Sequence, residues 1–586
     1  MTSRRDLLLS LAALPIFGQG VSTRTARPTA RGKPSGLPFD SRLTDVAAEA
    51  GLRAPVIYGG IDRKTYIVET VGCGVAFIDY DNDGWLDIFI LSGKRWDEPT
   101  PGSTNRLYRN NRDGTFTDVT DKAGLHKLGW ASSVCVGDYD NDGFDDLFVT
   151  FWGQNVLYRN NGDGTFTDVT DKAGLLHPAI RWCSGASFFQ STRNGRLDLA
   201  VATYVDFHPE QTAKPGENPN CNWKGIEVNC GPRGLPPGRV YLYRNNGDGT
   251  FTDASEQSGV AKLSGSYCMT VTCADFSNSG WQDIFVACDS TPSFFLRNKG
   301  DGTFVDIGLE SGVALNEDGM EQAGMGVGVG DFNLDGKLDI FKTHFADDTN
   351  ILYQNSGKDA FDDVTIRANL GVEVRYTGWG AGIVDLDNNG LPDLFLVTGS
   401  VYPEVANKLP AYPLKTPRVV FRNLGNGRFE ELIEQAGPGV AALHCSRGCA
   451  FGDFDNDGDI DIVIVNLNEP PSLLRNDVTG NGNWLKVKLV GDKSNRSAIG
   501  ARVTARYGAK IQAQEVMSQA SFFSANDKRL HFGLGSAEAV DLDIQWPNGA
   551  KETLRGIRPN RLVTIREGSG VVKTESFPLE THSGPK

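Results

Sequence analysis

The chain has 586 residues, 39% hydrophobic and 22% charged, with 58 basic against 73 acidic side chains and a net charge of −15. That length easily buries a core, while the acidic balance argues against nucleic-acid partners and anionic membranes, because neutralising phosphate takes a basic face. Glycine, at 69 residues, exceeds the usual ~7% and falls in Asn-Gly and Asp-Gly pairs, so many short strands are expected rather than long helices.

At the N-terminus, Arg4 and Arg5 precede the apolar run Leu7 to Phe17 and a Thr/Arg/Pro/Gly-rich stretch. The run falls short of the ~20 residues a membrane span needs. Ser3-Arg4-Arg5-Asp6-Leu7-Leu8 resembles a twin-arginine export signal, so residues 1–37 read as signal peptide and linker and the protein as periplasmic or secreted. Export permits disulfides. Of the ten cysteines, Cys221 and Cys230 bracket a Pro/Gly/Asn-rich loop and form the expected pair. Cys73, Cys135, Cys183, Cys268, Cys273 and Cys449 sit in apolar strand-like runs and read as small buried hydrophobes.

From residue 38 to 478 three motifs recur in register. The first is an acidic loop between apolar alternations, as in Val75 to Phe89; its seven copies begin at Asp79, Asp138, Gln190, Asp275, Asp331, Asp385 and Asp453. The second, Leu107-Tyr108-Arg109-Asn110, and the third, Gly114-Thr115-Phe116-Thr117-Asp118, follow each loop, except that the last unit lacks the third. Its missing strand stands at the start of the chain, within Phe39 to Leu52. Four strands per unit and one split unit imply an all-β, seven-bladed β-propeller whose N-terminal strand closes the ring.

The pattern Asp-x-Asp-x-Asp-Gly-x-x-Asp sets hard oxygen ligands at alternate positions of a tight turn. Crowded carboxylates repel one another, and calcium is the natural remedy. The metal ligands expected are Asp79, Asp81, Asp83 and Asp87; Asp138, Asp140, Asp142 and Asp146; Asp331, Asn333, Asp335 and Asp339; Asp385, Asp387, Asn389 and Asp393; and Asp453, Asp455, Asp457 and Asp461. That makes about five calcium sites. Asp275 heads a marginal loop, and Gln190, Thr192 and Asn194 head one expected to hold no ion.

With these loops the sequence resembles the FG-GAP/VCBS repeats of the integrin α-subunit propeller and, more closely, the cartilage acidic protein family. Trp484-Leu485-Lys486-Val487, Ile499-Gly500-Ala501 and Ile544-Gln545-Trp546-Pro547-Asn548-Gly549 resemble an ASPIC/UnbV domain. The resemblance implies a small β-domain over 482–568, leaving 569–586 as a flexible tail.

Acidic loops and Gly-Asp-Gly-Thr turns must share one face of the ring. The other face receives the variable connections and is where ligand recognition is expected. It gathers His126, Trp152, His177, Trp182, Tyr204, His208, His344, Trp379, Tyr402 and His444, and an insertion from Tyr204 to Arg239 that could cap the axial opening. Aromatic residues with carboxylates suit an extracellular or periplasmic carbohydrate or protein. The alternative is an exported lyase, hydrolase or metal-dependent oxidoreductase, with Asp206, His208, His344, Asp347 and Asp348 as catalytic candidates or converging imidazoles holding a transition metal. No nucleophile elbow, zinc-protease helix or phosphate-cradling loop specifies a reaction.

Overall fold

The computed structural model describes residues 26–96, 100 and 102–577. Arg4, Arg5 and the run Leu7 to Phe17 lie outside the described residues. Each acid loop turns a short apolar strand back on its neighbour, and two further turns complete an antiparallel group of four; seven such groups follow in chain order. Their first strands, Val75–Ile78, Trp130–Gly137, Arg181–Phe189, Cys268–Ala274, Gly324–Gly330, Gly378–Val384 and Ser446–Gly452, each pack on the next, and the seventh packs on the first. In blade 7 the fourth strand is Leu43–Asp45, with Leu43 opposite Asn476, so the N-terminal strand closes the ring. Blades 2 and 3 also join edge to edge through Trp152 and Trp182.

The glycines of Gly324–Gly330 are demanded by crowding at the axis. A Cβ on Gly326 would lie 1.9 Å from the Trp379 carbonyl oxygen, and one on Gly328 would lie 3.1 Å from Gly382. Among the described residues no helix is long and apolar enough to cross a membrane.

Two more four-stranded sheets follow from Asn483. Leu485, Val503, Phe532, Leu542 and Val563 fill the space between them, in one apolar cluster with Phe148, Phe188 and Leu199 of blades 2 and 3. The expectation of a free tail over 569–586 is corrected at Gly570–Glu575, which forms the edge strand beside Leu562–Arg566, while residues 578–586 lie outside the described residues. Its β-branched Val571, Val572 and Thr574 suit a strand, and the pairing satisfies the backbone groups on its inner side. Residues 26–38 run along the outside of blades 5 and 6, held by Arg31 on Glu373 and Glu431 and by Arg422 on the Pro38 carbonyl.

The segment from Ser518 to Asp527 fills the propeller axis. Its backbone and side chains bond to Phe77 of blade 1, Val134 and Val136 of blade 2, Phe188 of blade 3, Val327 of blade 5, Ala381 of blade 6 and Phe451 of blade 7. The inner strands have no sheet neighbour on that side, so this segment takes up backbone groups that burial would otherwise orphan. Phe522 and Phe523, both 0% exposed, fill the centre.

Candidate metal centres and the domain junction

Within each acid loop the aspartate at position one caps the turn. Asp138 accepts from the Asp142 and Gly143 amides at 3.0 and 2.7 Å, and Asp331, Asp385 and Asp453 repeat the arrangement. Position four takes a left-handed conformation, φ 55–60°, in Asn82, Asn141, Asn278, Leu334, Asn388 and Asn456, which explains the preference for Asn there. The aspartate at position nine accepts from the amide of position two on one oxygen and from the third strand on the other, as in Asp87 with Tyr80 and Asn110.

These turns gather carboxylates at positions one, three and nine. Ligand oxygens lie within 4.8 Å of one another in Asp79/Asp81/Asp87, Asp138/Asp140/Asp146, Asp385/Asp387/Asp393 and Asp453/Asp455/Asp461. Oδ1 of Asp81, Asp387 and Asp455 and of Asn389 is buried without a hydrogen-bond partner, as expected of donor atoms aimed at a cation. Burial, with the neighbouring carboxylates, pushes the Asp87 carboxyl up to about 9 and Asp138 up to about 7. The same causes raise Asp385, Asp393, Asp455 and Asp461. A bound dication would remove that cost.

The position-five aspartates also cap the turn. Asp83, Asp142 and Asp457 accept from the amide two residues on, and Asp83 also meets Arg112 at 2.7 Å. Blade 5 has Asn333 at position three and so no triad of carboxylates there; Asp335 pairs with Lys337 at 2.6 Å and accepts from Asn333, and burial together with Asp335 raises the Asp331 and Asp339 carboxyls. Four of the five expected loops gather three carboxylates, and the fifth carries an asparagine at position three.

Two rings of hydrogen bonds, missed in the sequence reading, stitch blade to blade beneath these loops. The asparagine ending each second motif, Asn110, Asn160, Asn245, Asn298, Asn355, Asn423 or Asn476, donates Nδ2 to the position-two carbonyl of the preceding blade at 2.7–2.9 Å. Asn110 on Phe454 closes that ring. The recurrence of Asn was visible, but its partner lies a blade away. The second ring satisfies the position-six glycine carbonyls. Asn456, Asn82, Asn141, Arg193 and Asn388 bond to Gly84, Gly143, Gly195, Gly280 and Gly458. Gly336 and Gly390 receive Arg502 and Lys510 from the C-terminal domain, at 2.7 and 3.0 Å.

The C-terminal domain therefore docks on the acid-loop face and brings cations with it. Lys486, 0% exposed, pairs with Asp453; Lys488 lies 3.7 Å from Asp79; Lys528 pairs with Asp145. Burial would raise the Asp453 carboxyl, but Lys486 and Arg529 hold it below its usual value. Where blade 3 has lost its acids, Asn495 donates to Gln190 and Ser191 bonds Asp198. In blade 4 the Asp275 amide and carbonyl meet Glu515 and Arg502.

A cleft of about 1060 Å³ opens between this domain and blades 7, 1 and 2, lined by Trp85, Arg112, Lys488, Lys573 and Phe577 beside the Asp79 and Asp455 loops.

On the opposite face the insertion from Tyr204 to Arg239 spans the axial mouth. Phe207 packs on Trp96, Trp152 and Trp182, while Trp223 packs on Phe345, Tyr402 and Tyr412. A disulfide joins Cys221 and Cys230. The residues grouped as a ligand face divide accordingly. Trp182, Tyr204, His177, His344, Trp379 and Tyr402 are buried; Trp152 is half-buried and donates to the Phe207 carbonyl; His126 is exposed. His177 and His344 each place Nδ1 on a backbone carbonyl, of Ala179 and Thr349. His444 pairs with Glu469. Asp347 holds Lys224 at 2.6 Å and Tyr412 at 2.8 Å, and Asp348 accepts from Gln322. His208 lies 3.1 Å from Asp206 and 3.8 Å from Glu210, apart from the other histidines. Among the described residues the side-chain groups able to hold a metal are all aspartate, so the imidazoles do not converge.

Fold and loops together define a closed β-propeller with aspartate-rich loops and a β-domain docked across its axis. Segments 79–149, 138–201, 233–286, 275–342, 331–396 and 416–464 match the FG-GAP-like repeat, and residues 491–572 match ASPIC and UnbV. The chain belongs to the FG-GAP-like repeat family and carries an ASPIC and UnbV domain. It is similar to cartilage acidic protein 1 of Homo sapiens, 29% identical over 326 residues, covering 54% of this chain and 46% of that protein. The protein of the same name in Xenopus tropicalis is 29% identical over 310 residues, covering 51% and 44%. The chain thus spans about half the length of these relatives. Among solved structures it is similar to an Agrocybe aegerita lectin that recognises non-reducing terminal N-acetylglucosamine, with a TM-score of 0.36, 18% identity, and coverage of 68% of this chain and 87% of that one.

Proposed function

We propose that this protein is an exported, calcium-stabilised propeller that acts as an adhesion-type module for an extracellular or periplasmic protein or carbohydrate. The observation that carries the reading is the set of four buried aspartate clusters with unpartnered oxygens at the domain junction. Hard oxygen donors in a tight turn suit calcium better than a soft transition metal. Calcium is structural here: it neutralises the loops that hold blades and C-terminal domain together. With the opposite face covered by the insertion, the interdomain cleft is the open volume where aromatic side chains, cations and the metal loops meet.

Elemental analysis of the washed full chain should find calcium near four per chain, and capture on immobilised extracellular proteins or glycans should fail in EDTA. Stoichiometric copper, iron or zinc in place of calcium would overturn the reading. The enzyme alternative keeps one supporting observation, the Asp206–His208–Glu210 group at the surface. Capture undiminished in a His208→Ala chain would separate that group from binding.

A further inference from the structure

We propose that Cys268 and Cys288 form a second disulfide, which closes the inner hairpin of blade 4 at the end remote from its acid loop. The two residues stand directly opposite one another on the antiparallel strands Cys268–Ala274 and Asp283–Cys288. Their Sγ atoms lie 3.9 Å apart, and both side chains are 0% exposed. Directly opposed residues in an antiparallel pair hold their Cα atoms roughly 4.5–5.5 Å apart, inside the usual disulfide range. Rotation about the two Cα–Cβ bonds therefore brings the sulfurs to bonding distance without moving the backbone. The sequence reading took Cys268 for a small hydrophobe; the register turns it into half of a pair.

Blade 4 is also where such a bond matters. Its loop carries Asp275, Ser277, Ser279 and Asp283, and it gathers no cluster of three carboxylates. A bond across a 20-residue separation restrains the hairpin from the other end and limits the unfolded chain. The oxidant is a small disulfide such as oxidised glutathione. One cysteine thiolate attacks it, forming a mixed disulfide and releasing one glutathione thiol. The second thiolate displaces the other glutathione, so the pair loses two protons and two electrons and the oxidant is reduced to two thiols. Because both sulfurs are buried, the exchange takes place while blade 4 is still closing.

The full chain is reduced, unfolded, and refolded with calcium in reduced and oxidised glutathione, then alkylated under denaturing conditions and peptide-mapped. Of the ten cysteines, six should be alkylated, with Cys221 linked to Cys230 and Cys268 to Cys288. Alkylated Cys268 and Cys288 in chains whose Cys221–Cys230 bond has closed would overturn the proposal. The second measurement starts from folded protein carrying Cys221→Ser and Cys230→Ser, held with oxidised glutathione near its melting temperature. Reductant should then lower its Tm by several degrees, and Cys268→Ser should remove that dependence. A Tm indifferent to reductant would also overturn the proposal.

Discussion

Blades 6, 7, 1 and 2 each bring three carboxylates within reach of one ion, whereas among the described residues blades 3, 4 and 5 bring together none. The same turn is held shut in two ways. On the first arc a bound dication would balance the charge together with Lys486, Lys488 and Lys528 of the C-terminal domain, and each position-four asparagine reaches the next blade unaided. On the second arc the chain supplies its own partners: Arg193 from within blade 3, then Arg502, Glu515 and Lys510 from the C-terminal domain. Leu334, in a left-handed turn where the other arc has asparagine, has no polar reach, and Lys510 takes the Gly390 carbonyl in its place. A bound metal would thus share on the first arc the task that the docked domain performs alone on the second.

Chelation should divide the arcs most strongly. Four sites, each saturated a hundredfold above its dissociation constant and adding about 2.7 kcal/mol, should together make EDTA lower the melting temperature by about 10 °C. Hydrogen exchange should rise in blades 6, 7, 1 and 2 before blades 3 to 5, and Asp81→Ala should cost more than Thr192→Ala. An unchanged melt, or uniform exchange, breaks the distinction. The pH dependence in EDTA has a fixed sign. Asp87 and Asp138 titrate near 9 and 7 in the folded loops, against 3.8 in the unfolded chain. Their contribution is full below pH 3.8 and is lost as pH rises towards 9, because the unfolded chain sheds protons that the folded loops retain. Calcium should reverse the trend, since it binds the deprotonated form.

The second effect tests whether Lys486 is a built-in cation. Removing one member of a buried pair costs about 3–5 kcal/mol when the other charge is stranded. Lys486→Met should therefore destabilise the EDTA-treated chain by that order. It should cost clearly less in calcium, where a dication still balances Asp453, Asp455 and Asp461. Equal losses, read from urea melts in both buffers, would show that the ammonium and the ion act independently.

Strands and Asp loops were legible because each is local, an alternation or a nine-residue acidic pattern, and ring closure because the count of repeats left one strand over at each end. The triads at positions one, three and nine were legible from spacing, whereas the capping bond of Asp83 and the Lys337 pair of Asp335 were not. The axial segment was not legible. Gln519-Ala520-Ser521-Phe522-Phe523-Ser524 has no periodicity, and the segment from Ser518 to Asp527 bonds to partners on six blades, from 75 to several hundred residues away. Likewise, the aromatic residues of the variable face read as a binding rim because their burial under Phe207 and Trp223 depends on where the insertion crosses the ring.

The smallest expected difference is the most local one. Asn82 and Arg502 perform the same act, bonding a position-six glycine carbonyl, at 2.9 and 2.7 Å. Asn82→Ala removes a neutral bond at an exposed loop, worth about 1 kcal/mol, whereas Arg502→Leu removes a charged donor worth roughly 1.5–3 kcal/mol. Arg502 also holds the Asp275 carbonyl, so its loss frees two backbone acceptors on adjacent blades at once. On calcium-loaded chains the arginine variant should accelerate amide exchange in both the blade 4 and blade 5 loops and along Arg502–Tyr507. The asparagine variant should affect only the contact between blades 1 and 2. If both variants loosen only their own loop, the C-terminal domain rests on the second arc without holding it, and the equivalence of metal and domain fails there first.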